Sequence, residues 1–371
     1  MRVLVVAAPL TGHLLPLVPL AAALRAQGHE VTVASGGDLR SVAGFPVHDI
    51  GSRLRLRLLG LTLAAKHPRL VGPEMRGTAG TAGVGPIFGA INARLVDEVA
   101  ALAAVVRPDL VIHEPLAVSG AVVAAAREVP AVLVAGMLWN GPELVAATAA
   151  DRAMTAAAAR FGIGNLPPPA EIVTTAPRSV VGPRDGLLMR PGGAAGDGGS
   201  APEWLLRPAG RPRLLVSHST VTGAGFAHVR RVVAAAGVVD AEIVLVRAPA
   251  KLVKAGLPAN VRPVGWIPME QVLPHADAIV HHGGAGTTLA ALAAGMPQLV
   301  VVGAADRRYN ARHIAARGAG LAMTSGEIDA DALRTVLTAA PLRVAAGEVA
   351  AEIAAMPLPA EIAPALTALV L

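Results

Sequence analysis

Apolar and polar positions follow one another along the chain in the order typical of a parallel α/β protein. Short apolar runs rich in valine, at residues 2–7 and 30–34, predict strands that are buried on both faces. Residues 16–26 lie between them and predict a helix, with proline tolerated in its first turn. The same order recurs further along, at residues 110–113, 118–128 and 131–134. The pattern predicts a parallel sheet with helices on both faces.

This order stops at residues 182–208, where residues 191–200 carry the glycine-rich run typical of a linker. It then resumes, with predicted strands at residues 213–217, 242–246, 277–281 and 298–302 and helices at residues 227–236 and 289–294. We therefore predict two doubly wound, Rossmann-like α/β domains facing across a cleft. The predicted segments are an N-terminal domain (1–190), a linker (191–208), a C-terminal domain (209–345) and terminal helices (346–371), with packing back on the first domain as one option.

Two segments depart from this order. Residues 53–58 alternate strictly between arginine and leucine, which predicts a half-exposed strand, with a specific anion site as the alternative. Residues 72–89 contain many glycines and little periodicity, which predicts a mobile loop.

Composition narrows the function. The 371 residues include no cysteine, which excludes disulfides, thiolate metal sites and a cysteine nucleophile. The net charge of +6 is spread over scattered basic residues, and only 2% of residues are aromatic, so we expect anionic small molecules rather than nucleic acid as ligands. Prolines interrupt the apolar residues 3–24, which argues against a signal peptide or stable membrane insertion. We expect a cytoplasmic protein, with a homodimer as one option.

The segment 281–288, His-His-Gly-Gly-Ala-Gly-Thr-Thr, carries the strongest chemical signal. It follows a predicted strand and opens a predicted helix. Glycines there let backbone N–H groups approach a ligand, and the start of the helix is its positive end. The imidazole of His282 and the hydroxyl of Thr287 add side-chain donors. A diphosphate is the ligand that this arrangement favours.

The chain resembles the GT-B glycosyltransferases of family 1, of the natural-product type that includes antibiotic-tailoring enzymes. The donor signature of that family is matched in order by Trp266, by the turn His282, Gly283, Gly284, Ala285, Gly286 and Thr287, by Gly295, Met296 and Pro297, and by Asp306. The first half also matches, through Gly12 and His13 followed by residues 14–17, Leu-Leu-Pro-Leu.

The resemblance implies roles by position. His13 is the expected general base, and Glu114 is the expected orienting acid where the family has aspartate. Trp266 and the backbone at Ile267 are expected beside the nucleobase, and Asp306 at the hydroxyls of the donor sugar. The other expected donor contacts are Ser217, Thr220, His282, Gly284, Ala285, Gly286, Thr287 and Arg307. Phe88, Met137 and Trp139 are candidates for an apolar acceptor pocket, with packing in the core as the alternative.

Two departures from the family bear on the donor. Ala290 stands where UDP-glucose enzymes carry a glutamate for both ribose hydroxyls, which favours a dTDP-sugar. Arg307 replaces the closing glutamine, which fits a deoxy or otherwise modified hexose. Asp329 and Asp331 have the Asp-x-Asp spacing of metal-dependent transferases, but they precede a predicted helix, where aspartate is an ordinary cap. We expect no metal and no cofactor besides the nucleotide-sugar.

The sequence thus predicts an inverting glycosyltransferase that moves a deoxysugar from dTDP to a hydroxyl of an apolar natural product. Histidine suits the base because it titrates near neutrality and a carboxylate fixes its tautomer. A UDP-hexose transferase on a lipid, sterol or flavonoid-like acceptor, and a non-catalytic nucleotide-binding partner of a transferase, remain the alternatives; a GT-B-shaped epimerase is a lesser one. A dehydrogenase is disfavoured, because neither glycine-rich turn is G-x-G-x-x-G with an acid about 20 residues on.

Overall fold

The computed structural model describes residues 1–37, 41–192, 199–219 and 225–370. Its contacts divide the chain into two compact units. The first unit contains Met1–Ala176, the segment from Pro183 up to the undescribed residues 193–198, and the residues from Met356 onward. The second contains Pro177–Gly182 and the residues from 199 to Ala355.

The strands of the first unit form one sheet. In chain order they are β1 (Arg2–Val6), β2 (Glu30–Ser35), β3 (Ser41–Val42), β4 (Phe45–Asp49), β5 (Leu110–His113), β6 (Ala131–Ala135), β7 (Glu171–Thr174) and β8 (Leu187–Leu188). Their order across the sheet is β3-β4-β2-β1-β5-β6-β7-β8. The β3–β4 pair is antiparallel and the other described pairs are parallel. The direction of winding reverses between β1 and β5, as in a doubly wound fold.

The second unit repeats this plan. Its strands are β9 (Arg213–Val216), β10 (Glu242–Val246), β11 (Val261–Val264), β12 (Ala278–His281), β13 (Gln298–Val301) and β14 (Gly320–Met323). They lie parallel in the order β11-β10-β9-β12-β13-β14, so the winding reverses between β9 and β12. The predicted α/β class with two Rossmann-like domains is confirmed.

Helices flank both sheets. They are α1 (Thr11–Leu14), α2 (Val18–Ala26), α3 (Leu56–Lys66), α4 (Pro68–Met75), α5 (Thr81–Val106), α6 (Val118–Ala126), α7 (Gly141–Ala149), α8 (Arg152–Ala159), α9 (Arg178–Val181), α10 (Glu203–Leu206), α11 (Ala227–Ala236), α12 (Ala250–Lys254), α13 (Met269–Val272), α14 (Ala285–Ala293), α15 (Arg307–Arg317), α16 (Ala330–Thr338), α17 (Ala340–Ala354) and α18 (Pro359–Thr367). Short 3-10 turns occupy Leu15–Leu17, Leu273–His275 and Ser325–Glu327.

Within the described ranges no single helix is both long enough and apolar enough to cross a bilayer. Taken together, the bent pair α17 and α18 meets the requirement by length and composition alone.

Burial on both faces explains the composition of the central strands. On β1, Val3 and Val5 pack into a core cluster with residues of α2 and α18, whereas Leu4 and Val6 pack into a second cluster with α5 and α6. Successive side chains of a strand point to opposite faces, so a strand covered on both sides must be apolar throughout.

The two terminal helices pack in different units. The helix α17 packs against α14 in the second unit, and α18 packs against α2 in the first. The chain passes from one unit to the other at Met356, ten residues beyond the boundary that the sequence suggests. The helix α17 is continuous to Ala354, so no break in it could set the boundary earlier. Residues 193–198 of the predicted linker lie outside the described residues.

The strand predicted at residues 53–58 is wrong. Its second half belongs to α3, in which Leu59 is buried and Leu58 is 58% exposed. The strand beside β4 at the edge of the sheet is β3, not residues 53–58. Leu59 instead joins the core cluster beneath α5.

The mobile loop predicted at residues 72–89 is also wrong, because the segment holds the end of α4 and the start of α5. Two glycines of this segment allow close packing between helices. A Cβ on Gly85 would lie 2.8 Å from the carbonyl oxygen of Ala147, and one on Gly89 would lie 2.3 Å from Cβ of Asp151. These glycines let α5 approach α7 and α8 more closely than any other residue would allow.

Candidate active site

In the first unit, the candidate base lies where the sheet reverses its winding. His13 is on α1, just after β1, and Glu114 directly follows β5, the strand beside β1. Ligands of open α/β sheets bind beyond the carboxyl ends of the strands at such a switch point. The structure has one turn of helix, Thr11–Leu14, at His13.

The two side chains are in direct contact. Nδ1 of His13 lies 3.3 Å from Oε1 of Glu114. The carboxylate is buried, and two backbone N–H groups hold it: Ala8 donates to Oε1 at 3.1 Å and Leu116 donates to Oε2 at 2.8 Å. The side chain of His13 stays 20% exposed. The arrangement places a fixed carboxylate behind one ring nitrogen of a histidine that solvent still reaches.

Asn92 fixes the loop that carries Glu114, and the sequence analysis missed it. It is fully buried on α5, and its Nδ2 donates to the carbonyl oxygens of Phe88 and Leu116, each at 2.8 Å. Its Oδ1 accepts from the backbone N–H of Ser119 at 2.8 Å. The one available signal was an amide side chain within an apolar stretch of helix, which has to find partners if it is buried.

An apolar surface lies beside His13. Phe88, Met137 and Trp139 are half-buried and pack in one cluster with the buried residues Val84, Leu116 and Leu144. The ring centroids of Phe88 and His13 are 5.8 Å apart. The structure thus brings the three candidate acceptor residues together with the candidate base. Whether they contact an acceptor stays a prediction.

In the second unit, the glycine-rich turn joins β12 to α14, as predicted. Gly283 has a φ of +83°, a conformation that favours glycine, and Gly284 caps α14. A Cβ on Gly284 would lie 2.5 Å from Nε2 of His282. The histidine ring therefore packs over the backbone of the turn, close to the first N–H groups of the helix. Ala285, Gly286 and Thr287 form the first turn of that helix.

The side chain of His281 holds this turn in place. It is fully buried as the last residue of β12. Its Nδ1 accepts from the backbone N–H of Gly283 at 3.1 Å, so its proton lies on Nε2, which donates to Oε1 of Gln298 at 2.8 Å. Burial lowers the pKa of His281 to about 4, so it is a neutral structural residue.

His282 is neutral as well, although it points toward the candidate donor site. Burial, and then the neighbouring His281 and Arg307, lower its pKa to about 2. Three buried polar atoms at this edge of the sheet have no hydrogen-bond partner among the described residues: Nδ1 of His282, Oγ of Ser217 and Oδ1 of Asn310. Such atoms are rare in folded proteins. A polar ligand bound at this edge would supply the missing partners.

Asp306 and the glycine turn are linked through Asn310, a second residue that the sequence analysis missed. Nδ2 of the fully buried Asn310 donates to Oδ2 of Asp306 and to the carbonyl oxygen of Gly283, both at 2.8 Å. Ala305, directly before Asp306, has a φ of +56°, which is strained for a residue with a side chain. Backbone strain of this kind is typical of ligand-binding loops.

Trp266 and Ile267, the two residues predicted to lie beside the nucleobase, differ in their exposure. Trp266 is 43% exposed, and the guanidinium carbon of Arg247 lies 5.3 Å from its ring centroid. Ile267 is buried in the core, so mainly its backbone could contact a ligand. Arg247 itself has a φ of +57°, a second strained position at this edge of the sheet.

The loop after β9 is described only in part. The carbonyl oxygen of Ser217 lies 3.0 Å from Nε2 of His228. The backbone N–H of Ser217 donates to the carbonyl oxygen of Val280 at 3.0 Å. Thr220 lies outside the described residues. In the Asp-x-Asp pair, Asp329 caps α16 through the N–H of Ala332, and Asp331 pairs with Arg334.

Comparison with known proteins identifies the family of the chain. Models of the N-terminal and C-terminal domains of erythromycin biosynthesis protein CIII-like proteins match residues 22–155 and 230–369. The elloramycin glycosyltransferase ElmGT of Streptomyces olivaceus is 38% identical, over 98% of this chain and 96% of its own length.

Solved structures give the same result. The glycosyltransferase SnogD from Streptomyces nogalater superposes with a TM-score of 0.81 at 36% identity, over 100% of this chain and 99% of its own. The glycosyltransferase SsfS6 from Streptomyces sp. SF2575, complexed with thymidine diphosphate, superposes with a TM-score of 0.82 at 27% identity, over 99% of each chain.

The fold and these matches define a GT-B glycosyltransferase. The chain belongs to the erythromycin CIII-like family of antibiotic glycosyltransferases. The resemblance and the enzyme class predicted from the sequence are confirmed. The individual site residues stay predictions.

Proposed function

We propose that this protein is an inverting glycosyltransferase that moves a deoxysugar from a dTDP-sugar to a hydroxyl of an apolar natural-product aglycone, without a metal or a further cofactor. The observation that carries the proposal is the contact of 3.3 Å between His13 and a buried, doubly hydrogen-bonded Glu114. The half-exposed apolar cluster beside it supports an apolar acceptor.

The chemistry follows from the two side chains. With Nδ1 facing Glu114, the other ring nitrogen of His13 is the one that takes the proton of the acceptor hydroxyl. The acceptor oxygen then attacks the anomeric carbon of the donor from the side opposite the diphosphate, which inverts that centre. Glu114 fixes the histidine tautomer and stabilises the imidazolium that forms.

A thymidine nucleotide donor is supported by two observations. The similar glycosyltransferase SsfS6 was solved in complex with thymidine diphosphate. In this chain, Ala290 on α14 offers no acceptor for a ribose 2′-hydroxyl, which deoxyribose lacks. Arg307 in place of the usual glutamine supports a modified hexose.

Calorimetric titration of the protein with dTDP and with UDP tests the donor class. We expect dTDP to bind more tightly by about tenfold, because a buried 2′-hydroxyl without an acceptor is penalised. The matched variant Ala290→Glu restores that acceptor and should reverse the preference. Equal affinity of the wild type for both nucleotides would contradict the dTDP assignment.

Transfer itself is tested with a dTDP-deoxysugar and a panel of apolar polyketide or macrolide aglycones, with the product anomer determined by NMR. We expect inversion and a rate that EDTA leaves unchanged. Retention of configuration, or a rate that EDTA abolishes and a divalent ion restores, would contradict the proposed mechanism.

A further inference from the structure

Arg307 stands where the family carries glutamine, and its surroundings give it a role of its own. We propose that Arg307 binds the diphosphate of the nucleotide donor and supplies the positive charge that stabilises this diphosphate as it leaves. The inference rests on the function proposed above, and it assigns the side chain to the leaving group rather than to the sugar hydroxyls.

The side chain of Arg307 runs toward the backbone of two glycines. Arg307 begins α15 and is half-buried. A Cβ on Gly283 would lie 3.2 Å from Cβ of Arg307, and a Cβ on Gly303 would lie 3.2 Å from its Cδ and 3.7 Å from its Nη1. The arginine therefore runs along the backbone of the glycine-rich turn and of the loop after β13. Both glycines leave the space that it occupies.

The positive charge of Arg307 is unmatched. Among the described residues none forms a hydrogen bond or an ion pair with the guanidinium of Arg307, and only the adjacent Asp306 attracts it electrostatically. Asp306 already accepts a hydrogen bond from Asn310. Burial lowers the pKa of Arg307, which shows that the charge is partly removed from water. A partly desolvated cation is costly unless an anion accompanies it.

Three histidines at this edge of the sheet, His281, His282 and His228, are neutral near pH 7. The pKa of His282 is about 2 and that of His281 about 4, and burial also lowers the pKa of His228 on α11. His282 can thus offer a hydrogen bond but no charge near pH 7. Arg307 lies close enough to His282 and His228 to affect the pKa of both. Arg307 and the positive end of α14 supply positive charge beside the glycine-rich turn.

The role in the reaction can be written with its atoms balanced. The bond between the anomeric carbon and the β-phosphate oxygen breaks, and its electron pair stays on that oxygen. The new bond joins the anomeric carbon to the acceptor oxygen, whose proton passes to His13. The diphosphate gains one negative charge in this step, so a preformed cation beside it stabilises the transition state more than the bound donor.

Calorimetry with Arg307→Gln, Arg307→Lys and the matched control Arg308→Gln tests the assignment, using dTDP, dTMP and thymidine as probes. Arg307→Gln should weaken dTDP binding by about 10- to 100-fold, since it removes a charge-assisted hydrogen bond, and should leave thymidine binding unchanged. Arg307→Lys should recover most of the loss, and the salt dependence of dTDP binding should be flatter in Arg307→Gln only. Arg308→Gln, which makes the same change of charge one residue along, should leave all three affinities unchanged.

Two results would overturn the inference alone. In one, wild type and Arg307→Gln bind dTDP equally while the KM for the dTDP-sugar rises, which assigns Arg307 to the sugar. In the other, thymidine and dTDP weaken together, which makes its role structural. Failure of the wild type to bind dTDP would overturn the proposed function, and this inference with it.

Discussion

The two units carry a similar motif, a histidine near a glycine beyond a central strand, and they give that histidine opposite properties. In the first unit, His13 contacts a carboxylate at 3.3 Å and remains partly exposed. In the second, His282 contacts no carboxylate among the described residues, and burial and nearby Arg307 lower its pKa to about 2. One imidazole is arranged to accept a proton, and the other is arranged to stay neutral.

The difference shows that the role of a histidine depends on its surroundings. A carboxylate favours the imidazolium, whereas burial and a neighbouring cation oppose it. Replacing each histidine with glutamine separates the two roles, because glutamine keeps a neutral hydrogen-bond donor and cannot take a proton near pH 7.

The largest effect is expected at His13. His13→Gln should lower kcat by about 10³-fold, since it removes the general base, while the Kd for dTDP should stay at the wild-type value. Steady-state transfer and calorimetry on the same preparation measure both quantities. A variant that retains most of its turnover would exclude His13 as the base.

Glu114→Gln is the companion variant, and it separates orientation from proton transfer. It keeps the shape of the side chain but removes the charge that stabilises the imidazolium. We expect a smaller loss than in His13→Gln, together with a shift of the acidic limb of activity, where protonation of the base removes activity, to lower pH. An unchanged pH profile would show that the pair does not act as a dyad.

The same comparison explains what the sequence could reveal. Both histidine motifs are contiguous in the chain and follow strands, so their local structure was predictable. The residues that hold them in place were not. Asn92 lies 24 positions before Leu116, whose carbonyl oxygen it binds, and Asn310 lies 27 positions after Gly283, and only the fold brings each pair together. An asparagine in an apolar stretch of helix signals a need for partners if it is buried, but its local sequence does not show which partners the fold supplies.

The glycines of residues 72–89 were misinterpreted for a related physical reason. Glycine permits a flexible loop, and it also permits close contact between helices. The choice depends on whether a second element lies against it, as α7 and α8 lie against α5. The pattern of a single segment does not contain that information.

The second largest effect concerns stability at low pH. His281 has a pKa of about 4 in the folded protein against an ordinary value near 6.5, so the unfolded chain binds more protons between these limits. Stability from this residue is complete above pH 6.5 and is lost as the pH falls to 4, up to about 3 kcal/mol. Urea unfolding at pH 7.5, 6.5, 5.5 and 4.5 measures the change.

His281→Gln is the control for this prediction. It lowers stability at pH 7.5 if the contacts to Gly283 and Gln298 weaken, but it should flatten the dependence on pH. The histidines His282, His113 and His228, whose pKa values are also lowered by burial, remain in the variant and account for a residual slope. Equal slopes in wild type and variant would show that His281 is not a buried neutral group.

The smallest effect is expected at His282, and it completes the comparison. His282→Gln should weaken dTDP binding by less than about tenfold, because a neutral amide replaces a neutral imidazole as hydrogen-bond donor. His282→Ala should weaken it further, since it also leaves the space over Gly284 empty. Calorimetry at pH 6.0 and 8.0 should give the same ratio of variant to wild-type Kd, because His282 does not titrate in that range. A ratio that rises at pH 6.0 would mean that His282 binds the diphosphate as a cation, and the contrast with His13 would then disappear.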